Sequence, residues 1–253
     1  VLHKALATAI KWQLISRNAA DGVDAPRVRR NEMQTWNAEE ITRFLEAAKD
    51  SQYCALFTTA LFTGARRNEM LGLRWADVDL DFLQIHVCRS LHHLKDGSYI
   101  FTEPKSERSR RTIAISPSLA SVLRLYRQEQ EQQLALMDKR LADDSLVFHH
   151  IEDGSPLRPE TVSRAWVMLA KRAGVKAIRF HDARHTHASL LLKQGVHPKI
   201  VQERLGHASI GITLDTYSHV APGLQEQAAL RFDEVFSVKY NTSGENEAAK
   251  NVH

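Results

Sequence analysis

The 253-residue chain is long enough for one large domain or two modest ones, and 43% hydrophobic with 25% charged residues is ordinary for a globular protein. No apolar run approaches the ~18 residues of a membrane span, and no leader with an apolar stretch before small residues is visible, so a membrane protein and a secreted precursor are not expected. The net charge of +4, from 34 basic and 30 acidic residues, is too small to mark a nucleic-acid binder, so the distribution of charge carries more than its total.

Leu2, Leu6, Ala9, Ile10 and Leu14 fall at helical spacing and predict one amphipathic helix over residues 2–15. Asp21 to Pro26 breaks regular structure, and the charged stretch 27–34 reads as a linker. Val1 is not a start methionine, which points to a fragment or a processed chain. Asn37 ahead of Glu39 and Glu40 predicts a capped helix start, and the apolar run Tyr53 to Phe62 a buried helix stopped by Gly64. A further helix begins at Arg67. Residues 83–87 alternate as a half-buried strand does, Asp96-Gly97 marks a hairpin turn, and residues 112–115 complete one small sheet. Ser116-Pro117 opens a long helix. Residues 146–148 form a short extended piece, and four helices follow at 159–172, 181–194, 198–205 and 209–217. A last amphipathic segment, 224–236, leads into a polar tail expected to be disordered. The fold class is thus mainly α (α+β), a helical domain with a small antiparallel sheet. Cys54 and Cys88 are isolated, which fits a reducing cytoplasm.

Five separated motifs carry chemistry: Thr63-Gly64-Ala65-Arg66 with Glu69, Lys105, His181-Asp182-Ala183-Arg184-His185, Leu205-Gly206-His207, and Tyr217. Attack on a phosphodiester builds negative charge on its non-bridging oxygens, and fixed guanidiniums answer that charge best. Arg66 and Arg184 are the candidates, with Glu69 three residues from Arg66 to hold its guanidinium. Gly64 gives a tight turn that sets Arg66 at a helix start, an end favourable to anions. His181 and His207 are candidate proton carriers near neutral pH. Lys105 lies in a basic stretch where Arg108, Arg110 and Arg111 would lower its pKa and suit it to proton donation. Each residue has a plainer reading alone: a surface arginine, an exposed helical histidine, a lysine on phosphate. Ile210, Leu214 and Tyr217 form a stripe that by itself makes Tyr217 a core residue. A zinc site on His181, Asp182 and His185 ranks low, because Arg184 would sit beside the metal. The clusters Arg27, Arg29, Arg30 and Arg108, Arg110, Arg111 are candidate DNA contacts.

Taken together, the HxxRH element and the LGH element with a tyrosine ten residues past the histidine resemble the tyrosine recombinases of the phage-integrase type, over about residues 36–220. The resemblance implies a helical catalytic domain at 35–236, a linker at 21–34, the last helix of a core-binding domain at 1–20, and a flexible tail at 237–253. Asn18-Ala19 departs from the Asn-Pro common in relatives at that boundary. The resemblance assigns Arg66 and Arg184 to the scissile phosphate, His181 to proton transfer, Lys105 to the departing 5′ oxygen, and His207 to a phosphate hydrogen bond. Tyr217 becomes the nucleophile, leaving a 3′-phosphotyrosine link. No cofactor and no metal are implied. The implied partners are double-stranded attachment-type DNA, a homotetramer on paired sites, and accessory DNA-bending or directionality factors, with no membrane. The setting is the cytoplasm of a bacterial host, at the nucleoid, and the task is integration or excision of a mobile element such as a prophage. A type IB topoisomerase and an inactive DNA-binding regulator are the alternatives.

Overall fold

The computed structural model describes residues 2–24, 33–94, 96–103, 110–217, 229–230 and 232–234. The chain divides into two compact units, Val1–Met33 and Gln34–His253. In the first, helix α1 (Leu2–Lys11) ends earlier than its apolar spacing predicts, because the chain turns at Gln13, whose φ is +58°. None of its side chains is buried, and Leu2, Trp12 and Leu14 are exposed. Asn18 caps the 3-10 turn Ala19–Gly22 by accepting from the Ala20 N–H.

In the second unit α2 (Ala38–Ala48) starts with the cap its sequence predicts. The Asn37 side chain accepts from the Glu40 N–H at 2.8 Å, and Glu40 returns the bond to the Asn37 N–H at 2.9 Å. Helix α3 (Cys54–Thr63) is buried on every face and forms the central post of the domain. Thr58, Thr59 and Thr63 satisfy their hydroxyls on carbonyls one turn back, so the polar groups of this buried helix are not orphaned. Helices α5 (Pro117–Ala135) and α7 (Asp182–Lys193) pack against it, as does α2, which also packs on α6 (Pro159–Arg172). Ser116 caps α5, as its sequence predicts. Trp36, Phe44, Phe57, Trp166 and Phe180 cluster at the centre, with the Trp36 and Trp166 rings stacked 4.8 Å apart and Phe57 and Phe180 edge-on to Trp166. Their indole N–H groups donate to the Lys176 and Ile178 carbonyls, so burial leaves neither unpaired.

The expected single sheet is two. Strands β1 (Val78–Asp79), β2 (Gln84–Val87) and β5 (Arg111–Ala114) form one antiparallel sheet in the order β1-β2-β5, with Ile85 opposite Ile113. Strands β3 (Ser90–His93) and β4 (Tyr99–Thr102) form a separate hairpin, with Gly97 at φ +87° in its turn. Inward-facing alternation in β2 and β5 made those strands legible, whereas β4 is largely exposed and has no such pattern. Residues 146–148 are buried, but the expected extended piece is limited to a bridge from Leu146 to Arg74, because the chain bends at residues 147–148. Past α6 and α7 come α8 (Pro198–Leu205) and α9 (Ile210–Tyr217), which pack together. Of the predicted segment 224–236 only 229–230 and 232–234 are described, as helix; the tail 237–253 and most of the linker lie outside the described residues. Among the described residues no helix is long and apolar enough to cross a membrane.

The aromatic centre gives a stability prediction. Trp166, fully buried, loses about 3–5 kcal/mol on change to Ala, read as a lower urea midpoint. Leu136→Ala, at an 88% exposed position, stays within about 0.5 kcal/mol of wild type. A Trp166→Ala protein unfolding at the wild-type midpoint would contradict this account of the core.

Candidate active site

Helix α3 ends at Gly64, which takes the left-handed conformation at φ +65°. A Cβ there would lie 2.7 Å from Leu205 and 2.8 Å from His187, so only glycine lets α7 and α8 close on this turn. Two residues on, Arg66 sits at the start of α4 (Arg67–Leu71), as its sequence predicts. That helix has only five residues, so its dipole adds little, and the guanidinium is the main charge. Glu69 accepts from Arg66 Nη1 at 2.7 Å and also caps the Arg66 backbone N–H at 2.8 Å. The same carboxylate takes both Nη groups of Arg111, at 2.8 and 3.1 Å. Burial alone would raise the Glu69 pKa, but the hydrogen bonds and charge of Arg111, then the charge of Arg66, outweigh it and hold the carboxyl at about 2.

Arg111 is therefore corrected from the set of surface DNA contacts. Its side chain is 6% exposed, and its fork is committed to Glu69 rather than to solvent. Arg110, beside it, is exposed and paired with Glu103. Lys105, Arg108, Arg27, Arg29 and Arg30 lie outside the described residues.

The C-terminal end of α8 is where the motifs meet. Three successive carbonyls, of Arg204, Leu205 and Gly206, each accept from a different arginine: Arg111 Nε at 2.8 Å, Arg184 Nη2 at 2.6 Å and Arg66 Nη2 at 3.3 Å. Arg184 also donates through Nη1 to the Gly64 carbonyl at 2.9 Å. The unsatisfied carbonyls of a helix end carry partial negative charge, so they hold cations well. Gly206 closes α8 at φ +67°, and a Cβ on it would press on the Arg111 side chain, at 3.0 Å from Cδ and 3.1–3.2 Å from the guanidinium. Arg184 is deeply set at 4% exposure, while the Arg66 side chain is 40% exposed.

His207 follows Gly206, and its Nδ1 lies 2.8 Å from the Thr213 hydroxyl of α9. The helix that ends at Tyr217 is thereby tied to the arginine cluster. The side chain of Tyr217 lies outside the described residues. Ile210 and Leu214 of the apolar stripe are exposed, so the stripe does not pack as core at these two positions. His181 precedes α7 with its ring against His185, centroids 5.3 Å apart. Asp182 gives both carboxylate oxygens to Arg179, at 2.9 and 3.1 Å. Among the described residues no three His, Cys, Asp or Glu side chains are grouped to hold a metal ion.

The histidines are kept neutral. Burial, then the charges of Arg184 and Arg66, bring His207 down to about 4. Burial followed by His181 brings His185 to about 4, and burial followed by Arg184 lowers His181. Sequence reasoning passed over His187 and Arg204. A basic residue in the last turn of α8 reads as an ordinary dipole partner, and contacts to residues 17 to 142 positions away leave no local trace.

Two outcomes follow. Glu69→Ala leaves the Arg111 fork buried without its carboxylate and costs about 3–5 kcal/mol, measured by chemical denaturation. A loss below about 1 kcal/mol would contradict the pairing. For pH, the four lowered histidines (181, 185, 187, 207) bind protons more readily unfolded than folded. Their contribution to stability is complete above the ordinary histidine pKa of about 6.5 and is lost as pH falls below it, toward about 4 for His185, His187 and His207. The denaturation midpoint should drop between pH 7 and pH 5; a flat or rising midpoint contradicts neutral burial.

The profile of the phage integrase family matches residues 33–223. The ICEBs1 integrase of Bacillus subtilis strain 168 is 33% identical over 236 residues, covering 92% of this chain and 63% of that protein. The XerC-like tyrosine recombinase of Caldanaerobacter subterraneus subsp. tengcongensis is 32% identical over 221 residues, covering 81% of this chain and 55% of that protein. The chain thus spans less than two thirds of the length of these curated relatives. Among solved structures, the Tn1549 transposon integrase in complex with transposon right-end DNA has a TM-score of 0.72 at 20% identity, over 91% of this chain and 76% of that one, a likeness of fold. With the profile running from residue 33, ahead of α2, past Tyr217, and a relative one third identical over 92% of the chain, the chain belongs to the phage integrase family.

Proposed function

We propose that this protein is a site-specific DNA recombinase that cuts and rejoins DNA through a 3′-phosphotyrosine intermediate, integrating or excising a mobile element. The observation that carries the reading is the convergence of Arg66, Arg184 and His207 on one helix end, next to the helix that ends in Tyr217. Family membership supports the same reading, and relatives matched by this chain are named integrases and tyrosine recombinases.

The chemistry follows from the charges. The Arg66 and Arg184 guanidiniums neutralise the charge that grows on the non-bridging oxygens as phosphorus becomes five-coordinate. Glu69 orients Arg66. With the Thr213 hydroxyl donating to Nδ1, His207 keeps its Nε2–H to donate to the phosphate, and its low pKa fixes the neutral form. His181, also neutral at pH 7, takes part in moving the tyrosine proton. The Tyr217 oxygen bonds to phosphorus, the P–O5′ bond breaks, and Lys105 protonates the departing 5′ oxygen. A 5′ hydroxyl from a partner strand then attacks the phosphotyrosine and restores the diester, so no hydrolysis or external energy is consumed.

Residues 1–20 are the last helix of a core-binding domain, 21–34 a linker, 35–236 the catalytic domain and 237–253 a tail. Arg27, Arg29, Arg30, Arg108 and Arg110 contact DNA. The protein acts as a homotetramer on paired attachment-type duplexes, with accessory bending or directionality factors, at the nucleoid in a bacterial cytoplasm.

The test is covalent trapping on nicked duplexes drawn from DNA flanking the encoding gene, with EDTA present. Wild type should yield a protein–DNA adduct on a denaturing gel; Tyr217→Phe should bind DNA and yield none. Arg184→Ala should lose about 3 kcal/mol of transition-state stabilisation, roughly a hundredfold in cleavage rate. Adduct from Tyr217→Phe refutes the nucleophile, and undiminished cleavage by Arg184→Ala refutes the phosphate role.

A further inference from the structure

The Arg204 side chain is half-buried and makes three hydrogen bonds, none of them to an anion. Nε donates to His187 Nε2 at 3.0 Å, Nη1 to the Ala114 carbonyl of β5 at 2.8 Å, and Nη2 to the Phe62 carbonyl of α3 at 3.0 Å. An arginine only donates, so His187 Nε2 must be bare, and its Nδ1 carries the proton given to the Leu61 carbonyl at 2.9 Å. This one side chain therefore ties α8 to α3, α7 and β5 together, at the turn of α8 whose three carbonyls hold Arg111, Arg184 and Arg66. Gly64 has no side chain to obstruct it: a Cβ there would strike His187.

We propose that Arg204 and His187 are positioning residues for phosphate activation. They fix the height of the α8 carbonyl ladder and so the placement of the two guanidiniums that meet the scissile phosphate. The inference rests on the function proposed above. Arg111 is the third member, since its Nε bonds the Arg204 carbonyl while its fork holds Glu69, which holds Arg66. A shift of α8 by even an ångström would move Arg184 and Arg66 together, because both donate to its end.

A defect in placing the guanidiniums matters most when the phosphate is charged, which gives a readout that loss of folded protein does not mimic. Single-turnover strand cleavage is measured on two duplexes, one with the ordinary phosphodiester and one with a methylphosphonate at the cut, where a methyl replaces a charged oxygen. Arg204→Ala is expected to slow cleavage of the phosphodiester about 100-fold and of the methylphosphonate by about tenfold or less, with DNA binding retained. Arg204→Lys keeps the charge and loses the fork, so it should not rescue. His187→Gln keeps an acceptor for Arg204 and a donor for Leu61, so it should recover most of the rate lost in His187→Leu. Equal slowing on both duplexes, or none, overturns the proposal. If wild type cleaves no duplex, the reading of the preceding subsection fails and takes this one with it; wild-type cleavage with an unimpaired Arg204→Ala overturns this inference alone.

Discussion

The end of one eight-residue helix organises this protein's chemistry. A helix terminus leaves carbonyls without intrahelical donors, and water or a side chain must satisfy them. Here arginines from three other elements do so at the end of α8: Arg111 from β5, Arg184 from α7 and Arg66 from the turn before α4. The carbonyls fix the guanidiniums, and the guanidiniums hold α7, α8 and the α3–α4 turn in register. Two left-handed glycines make the approach sterically possible, Gly64 opposite Leu205 and His187, and Gly206 against Arg111.

The electrostatics have a direction. Arg66, Arg111, Arg184 and Arg204 meet at this helix end, and the Glu69 carboxylate pairs with Arg66 and Arg111. The carbonyl dipoles of the helix end face these guanidiniums, and a grouping of cations of this kind is suited to an anion. The charges of Arg184 and Arg66 add to burial in keeping His181 and His207 neutral. A neutral imidazole offers one donor and one acceptor at physiological pH, which is what exchange of a proton beside a phosphate needs. Buried charge is costly when unpaired, so Glu69 and Arg111 are as much a condition of folding as of geometry.

Much of this was legible in the sequence because the signals are local. The Asn37 cap, the Ser116-Pro117 start, the buried run of α3, and the glycines at 64 and 206 each dictate structure within a few residues. The candidate residues Arg66, Arg184, His181 and His207 stood out for their types and order. What stayed hidden depends on distant parts of the chain. Arg111 read as one more basic surface residue of a charged stretch, and only the fold brings it to Glu69, 42 positions away. His187 and Arg204 gave no signal, because they lie 17 positions apart on different helices and meet only where α7 and α8 close over Gly64. The second sheet escaped because β4 is exposed and its apolar residues do not alternate.

The most direct test of the account is a structure of the protein on its target duplex with vanadate in place of the scissile phosphate, a mimic of the five-coordinate transition state. The account predicts vanadate oxygens within hydrogen-bond distance of the Arg66 and Arg184 guanidiniums and His207 Nε2, with the Tyr217 oxygen at an apex of the bipyramid. Vanadate bound away from these arginines, or with an apex filled by water or another side chain, would contradict it.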